Sequence, residues 1–130
     1  MGVEFEAEEV FDSMRKQRFE PSRYFMDFHI AGFAYYDGLD VIDELKLGTP
    51  VTLVSEPDNP HDADAVAIYY KHKKLGYIPA GKNQLFTTFL YFGHTDIFEA
   101  RIQMAKMDNH PERQFRVVVR VKDKRKSPQE

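Results

Sequence analysis

A dense run of acidic and proline residues has the greatest capacity for chemistry in this chain. It reads Glu56-Pro57-Asp58-Asn59-Pro60-His61-Asp62-Ala63-Asp64. Carboxylates and a histidine this close together could ligate a divalent metal, which would make His61, Asp62 and Asp64 the residues of a metal-dependent nuclease or hydrolase. However, a catalytic metal also needs ligands from facing elements, and no second histidine has ligand spacing. The sequence therefore favours a structural or ligand-binding turn, in which Asp and Asn side chains accept hydrogen bonds from backbone amides.

A second segment matches the spacing of a phosphate-binding loop, which has Gly, four residues and then Gly-Lys. It reads Gly76-Tyr77-Ile78-Pro79-Ala80-Gly81-Lys82-Asn83. Asn83 stands where such a loop needs Ser or Thr to bind magnesium. The interior is also bulky and contains proline, whereas the loop must bend its backbone amides around phosphates. We therefore expect no nucleotide hydrolysis here.

Two surface-compatible patterns suit nucleic-acid binding. Tyr35 and Tyr36 lie beside glycine, and aromatic rings on a sheet edge can stack on unpaired bases. Filling of the core is the alternative for at least one of them, because adjacent residues of a strand face opposite sides. Near the other end, Arg116, Arg120 and Lys122 alternate along one strand face. They could follow a phosphate backbone or could form a solvated face.

The elements that must position these residues are mostly strands. Alternating apolar residues, turn residues and prolines predict six strands and one helix after the fourth strand. The strands are residues 24–31, 51–54, 65–70, 74–78, 97–107 and 114–122, and the helix is residues 82–92 with Gly93 as its C-terminal cap. Strands in this arrangement indicate a small closed or partly open barrel, and residues 41–47 are a loop or a short helical turn.

The two ends of the chain differ from this pattern. Residues 6–19 predict a short helix in which Val10, Phe11 and Met14 share one face. Residues 124–130 predict a disordered tail. The expected organisation is therefore an N-terminal helical extension over 1–21, a β domain over 22–123 and the tail.

Composition narrows the function classes. The 130 residues fit one domain, and no apolar run approaches the ~20 residues needed to cross a bilayer. The N-terminus is acidic, unlike a signal peptide, so we expect a cytoplasmic protein without membrane association. There is no cysteine, which excludes disulfides and thiolate metal sites. The net charge of -3 combines an acidic first half with a basic second half, which could attract phosphates or could neutralise the first half across the fold.

Taken in order, four segments resemble the HIRAN domain family. They are Tyr35-Tyr36-Asp37-Gly38, Gly48-Thr49-Pro50-Val51-Thr52-Leu53, the acidic turn continued to Ala65-Val66, and Leu75-Gly76-Tyr77-Ile78-Pro79. The family occurs at the N-terminus of Swi/Snf-type DNA translocases, including helicase-like transcription factor, and as short stand-alone bacterial proteins. The resemblance covers about residues 22–122. It implies an OB-like barrel that recognises single-stranded DNA through a free 3′-hydroxyl end.

The resemblance also implies roles for individual residues. Tyr35 would stack on the terminal base, with Tyr36 beside it. Asn59 would shape the pocket, and Asp62 would accept a hydrogen bond from the 3′-hydroxyl group. A carboxylate suits that role because it repels a terminal phosphate.

Several positions depart from the family pattern. Ala34 replaces an arginine, His61 replaces a tyrosine and Tyr77 replaces a histidine, while Asp58 adds a negative charge. The family's phosphate-binding lysine aligns with Ala80, which leaves Lys82 as the nearest substitute.

We therefore predict a mainly β protein, a small OB-like six-stranded barrel with one inserted helix and a short N-terminal helix. Its expected function is recognition of single-stranded DNA, without catalysis, cofactor or metal. A role in DNA repair would need a helicase or nuclease partner. A protein-interaction adaptor that uses the N-terminal helix or a sheet edge is the alternative, and a metal-dependent hydrolase is the third.

Overall fold

The computed structural model describes residues 21–106, 108, 110 and 114–125. They form one six-stranded antiparallel sheet in the order β1-β6-β5-β2-β3-β4. The strands are β1 (Ser22–His29), β2 (Pro50–Ser55), β3 (Val66–Tyr70), β4 (Lys73–Tyr77), β5 (Phe98–Ala105) and β6 (Phe115–Lys122). The α-helix α1 (Gln84–Tyr91) is inserted between β4 and β5, and 3-10 helices cover Phe33–Tyr35, Asp37–Glu44 and Ala80–Lys82.

The two edges of the sheet meet at a single point. Ala31, just after β1, and Tyr77, at the end of β4, exchange two backbone N–H···O bonds of 2.8 and 2.9 Å. Within the described residues this contact is an isolated bridge and not a ladder. The sheet is therefore curled but not closed, which confirms the predicted mainly β, OB-like fold in its partly open form.

Alternation along the strands builds the core, as predicted. In β6, Phe115, Val117 and Val119 are fully buried, while the residues between them are half-buried. On α1, Phe86 and Leu90 face the sheet. Phe86 packs edge-on against Phe28 with ring centroids 5.9 Å apart. The helix thus covers one end of the curled sheet with apolar side chains.

Two local predictions differ from the structure. The helix expected over 82–92 begins at Gln84, because residues 80–82 form a separate 3-10 turn in which the Lys82 amide donates to the Pro79 carbonyl (2.8 Å). Its predicted cap is confirmed: Gly93 has a φ of +87° and donates to the Leu90 carbonyl (3.0 Å). The aromatic segment after Gly32, expected on a sheet edge, is a 3-10 helix instead.

The predicted N-terminal helix over 6–19 lies outside the described residues, as does the tail beyond Arg125. The proposed boundaries at 21 and 123 therefore stay predictions. Within the part of the chain that the structure describes, no helix combines the length and apolar character needed to span a membrane.

Candidate functional site

Gly76 allows the edges of the sheet to meet. Its φ is +150°, and a Cβ atom at this position would clash with the Ala31 carbonyl oxygen. Only glycine lets β4 approach the chain after β1 so closely. This approach places Tyr77 opposite Tyr36, with ring centroids 5.4 Å apart in an edge-on arrangement.

Two adjoining cavities open beside these tyrosines, and together we call them the cleft. One has a volume of about 280 Å³ and reaches the Asp62 and Asn83 side chains. The other has a volume of about 570 Å³ and reaches the acidic turn. Both are lined by Tyr36, Asn59, His61 and Tyr77. The fold thus brings five of the seven sequence-predicted site residues together: these four and Asp62.

Asn59 holds the acidic turn in shape. Its side-chain oxygen accepts hydrogen bonds from the backbone amides of His61 (2.8 Å) and Asp62 (3.2 Å). Its side-chain nitrogen donates to Glu56 Oε1 (3.1 Å). The amide is therefore used within the protein, and Asn59 shapes the wall of the cleft as an Asx turn does.

Asp62 faces the cleft and also caps the turn. Oδ1 accepts from the Asp64 backbone amide (2.9 Å), and Oδ2 accepts from Asn83 Nδ2 (2.9 Å). Asn83 is only 2% exposed, a rare position for an amide side chain. Sequence reasoning missed its role. The available signal was a polar residue directly before the apolar run of α1.

In the wall of the cleft, Tyr77 joins a charged network. Its hydroxyl donates to Glu56 Oε1 (2.7 Å) and accepts from Lys74 Nζ (3.0 Å), while Lys74 also pairs with Glu56 Oε2 (2.8 Å). The hydrogen bond to Glu56 raises the pKa of Lys74, although burial opposes it. Burial raises the pKa of Glu56, but hydrogen bonds from Lys74, Tyr77 and Asn59 outweigh it and leave the pKa below its ordinary value.

The pKa of Tyr77 is shifted as well. Burial, followed by the hydrogen bond to Glu56, raises the pKa of the Tyr77 hydroxyl. The Lys74 ammonium lies 5.0 Å from the Tyr77 ring centroid and 5.4 Å from that of Tyr36. These cation–π contacts help to hold both rings in the wall of the cleft.

Tyr35 and Tyr36 occupy different positions. Tyr36 is 40% exposed and lines the cleft, whereas Tyr35 is 83% exposed and is absent from the lining. The expectation that one of them fills the core is wrong, since Phe33 does so. Phe33 is fully buried and lies against Gly38, where any side chain would clash with its ring.

The predicted cations lie outside the cleft. Lys82 Nζ donates to the Asp27 carbonyl (3.3 Å). Arg116 pairs with the Asp27 carboxylate, and Arg120 donates to Ser22 Oγ (2.8 Å). These contacts tie β1 to its neighbours. The cleft itself is lined by Glu56, Asp58 and Asp62, with no lysine or arginine among its described lining residues.

The described residues form neither the metal site nor the phosphate-binding loop that the sequence raised as alternatives. Among the described residues, no group of three His, Asp or Glu side chains is placed to hold a metal ion, so His61, Asp62 and Asp64 do not converge. The segment with phosphate-loop spacing is divided between the end of β4 and the 3-10 helix Ala80–Lys82. It does not form the amide-lined loop that phosphate binding requires.

Comparison with known proteins shows which of them share this architecture. A family model for the HIRAN domain matches residues 24–122. A crystal structure of a protein from Lactobacillus plantarum superposes with a TM-score of 0.64 at 22% identity, covering 78% of this chain and 97% of the other. The HIRAN domain of human HLTF gives a TM-score of 0.52 at 16% identity, covering 79% and 82%. At these identities the two structures share the fold. No curated protein matches significantly.

Proposed function

The chain belongs to the HIRAN domain family, and on that premise we propose that it binds single-stranded DNA at a free 3′-hydroxyl end without chemistry of its own. The observation that supports this most directly is the cleft, where Tyr36, Asn59, His61, Asp62 and Tyr77 meet. Any role in DNA processing then requires a helicase or nuclease as a partner.

The aromatic side chains provide the contact with bases. Tyr36 presents a partly exposed ring that Tyr77 and Lys74 support from behind. We assign the terminal base to Tyr36 and His61, and a neighbouring base to the more exposed Tyr35. Stacking of this kind contributes about 1–3 kcal/mol per base and tolerates any sequence.

Asp62 is the side chain that favours a 3′-hydroxyl over a 3′-phosphate at the end of the strand. An ionised carboxylate has about four lone-pair sites, so the two protein hydrogen bonds leave room for one from a hydroxyl donor. A phosphate at the same place would meet the negative charges of Asp62 and Asp58. The cleft therefore suits an uncharged 3′ end.

Fluorescence anisotropy with a short labelled DNA tests this proposal. We expect a 3′-hydroxyl strand to bind more tightly than a 3′-phosphate strand at low salt. Asp62→Asn keeps the shape and removes one of the two nearby charges, so it should reduce that difference. Tyr36→Ala should weaken both complexes by about 5- to 150-fold, which corresponds to the stacking energy of about 1–3 kcal/mol. Tyr91→Ala is the matched control, because Tyr91 is an exposed tyrosine outside the cleft lining. Equal binding of both ends, or equal effects of Tyr36→Ala and Tyr91→Ala, would contradict the proposal.

A further inference from the structure

An apolar surface on α1 plays no part in the cleft, and we call it the α1 patch. It consists of Leu85, Phe89, Tyr91 and Phe92, which are 54, 40, 63 and 72% exposed. Leu85 and Phe89 of α1 and Phe92, the residue directly after its end, follow one another at four- and three-residue spacing, so they form one stripe. A contiguous exposed stripe of large apolar side chains marks an interaction surface.

The N-terminal end of β1 lies beside this patch. Phe25 packs against Phe86 and Phe98, with ring centroids 5.4 and 5.6 Å apart. Phe89, a member of the patch, packs against the same Phe98 at 5.9 Å. Pro21 is held at the sheet, since its carbonyl accepts from the Asp123 amide (2.9 Å). Pro21, the first described residue, therefore lies four positions before a side chain that packs on α1.

The preceding segment has the sequence to cover the patch. Val10, Phe11 and Met14 share one face of the predicted helix over 6–19. Such a helix would be about 21 Å long, whereas Leu85 to Phe92 spans only about 10 Å. A helix of this length is marginal in water unless an apolar surface receives its apolar face.

We propose that residues 6–19 dock on the α1 patch of their own chain, with Val10, Phe11 and Met14 against Leu85, Phe89 and Phe92. The proposal is independent of the proposed DNA binding. It commits to an intramolecular contact, because the segment is joined to the domain at Pro21, near the patch. This attachment gives it a higher local concentration there than a second copy would have.

Disulfide trapping tests the contact in the full chain, which contains no natural cysteine. Met14→Cys combined with Phe92→Cys should form an intramolecular disulfide in a glutathione buffer several-fold faster than Met14→Cys combined with Tyr35→Cys. Tyr35 is a fair control, being 83% exposed and on another element. Similar rates for the two pairs would overturn the proposal. Predominantly dimeric products would overturn it as well, and would assign the patch to a second copy.

A single-cysteine variant provides an independent readout. In Phe92→Cys, the docked segment should slow labelling of the thiol by a maleimide. Adding Phe11→Asp, a change outside the described domain, should raise the labelling rate several-fold, because a carboxylate disfavours the apolar contact. An unchanged rate would contradict docking through Phe11.

Discussion

At the scale of single residues, Asn83 connects the acidic turn to α1. Its buried amide donates to Asp62, which lies 21 positions earlier in the chain. Thr87 on the same helix donates to the Asp64 carbonyl (3.0 Å). The acidic turn that carries Asp62 is thus held by two residues about 20 positions away in the sequence.

Asn83→Asp tests how far the fold depends on the contact between Asn83 and Asp62. The new carboxylate would lie against that of Asp62, and the charged pair should destabilise the fold by about 1–3 kcal/mol at neutral pH. The loss should shrink in acid, where one carboxyl group takes up a proton. Urea denaturation at neutral and at acidic pH measures the effect. Gln84→Glu is the control, because Gln84 is exposed. A loss that does not change with pH would contradict the carboxylate contact.

Glu56 should make stability depend on pH. Its folded-state pKa lies below the ordinary value. Its contribution is therefore present above the unfolded pKa, near 4.3, and is lost as the pH falls through the folded pKa. Glu56→Gln should cost about 1–3 kcal/mol at pH 7 and progressively less below pH ~4 in urea titrations. Asp58→Asn, on the exposed part of the same turn, should change stability little. A penalty for Glu56→Gln that stays constant across this range would exclude the ion pair as its source.

At the scale of secondary-structure elements, the bridge between Ala31 and Tyr77 decides where the cleft forms. It joins the chain after β1 to the end of β4, which are opposite edges of the sheet. The bridge brings Tyr36 and Tyr77 together, and it requires a residue without a side chain at position 76.

Gly76→Ala should therefore be more harmful than an ordinary glycine substitution. The φ of +150° and the clash with the Ala31 carbonyl predict that the free energy of unfolding falls by about 1–3 kcal/mol. Thermal or urea unfolding measures this loss. Gly81→Ala is the matched control, since a Cβ atom there meets nothing within 4 Å. It should be neutral or slightly stabilising. Equal effects at the two positions would show that the close approach at the bridge is unimportant.

At the scale of the whole molecule, the distribution of charge limits DNA affinity. The arginines of β6 are engaged with β1, and the described lining of the cleft offers carboxylates instead of cations. Contacts with phosphates should be few, so the salt dependence of binding should be shallow.

Ala80→Lys should strengthen binding. Ala80 lines the cleft. The resemblance to the HIRAN family implies a phosphate-binding lysine at this position. One added phosphate contact should steepen the slope of log K against log salt by about 0.7 for a single strand. Anisotropy over a salt series measures the slope, and Ala80→Gln controls for side-chain length. The same slope for both variants would mean that the backbone of the DNA does not pass this position.

The sequence by itself determined the order of the secondary-structure elements and the family, because the signals for both are local. Alternation in β6, the proline-bounded acidic turn and the glycine cap at Gly93 correctly predicted the order of the elements, since each depends on residues close together in the chain. Ordered motifs also identified the family. Only the tertiary structure decided that Tyr36, and not Tyr35, lines the cleft, that Lys82 turns away to Asp27, and that Asn83 supports Asp62. These outcomes depend on contacts between distant segments, which form only when the sheet curls until its edges meet.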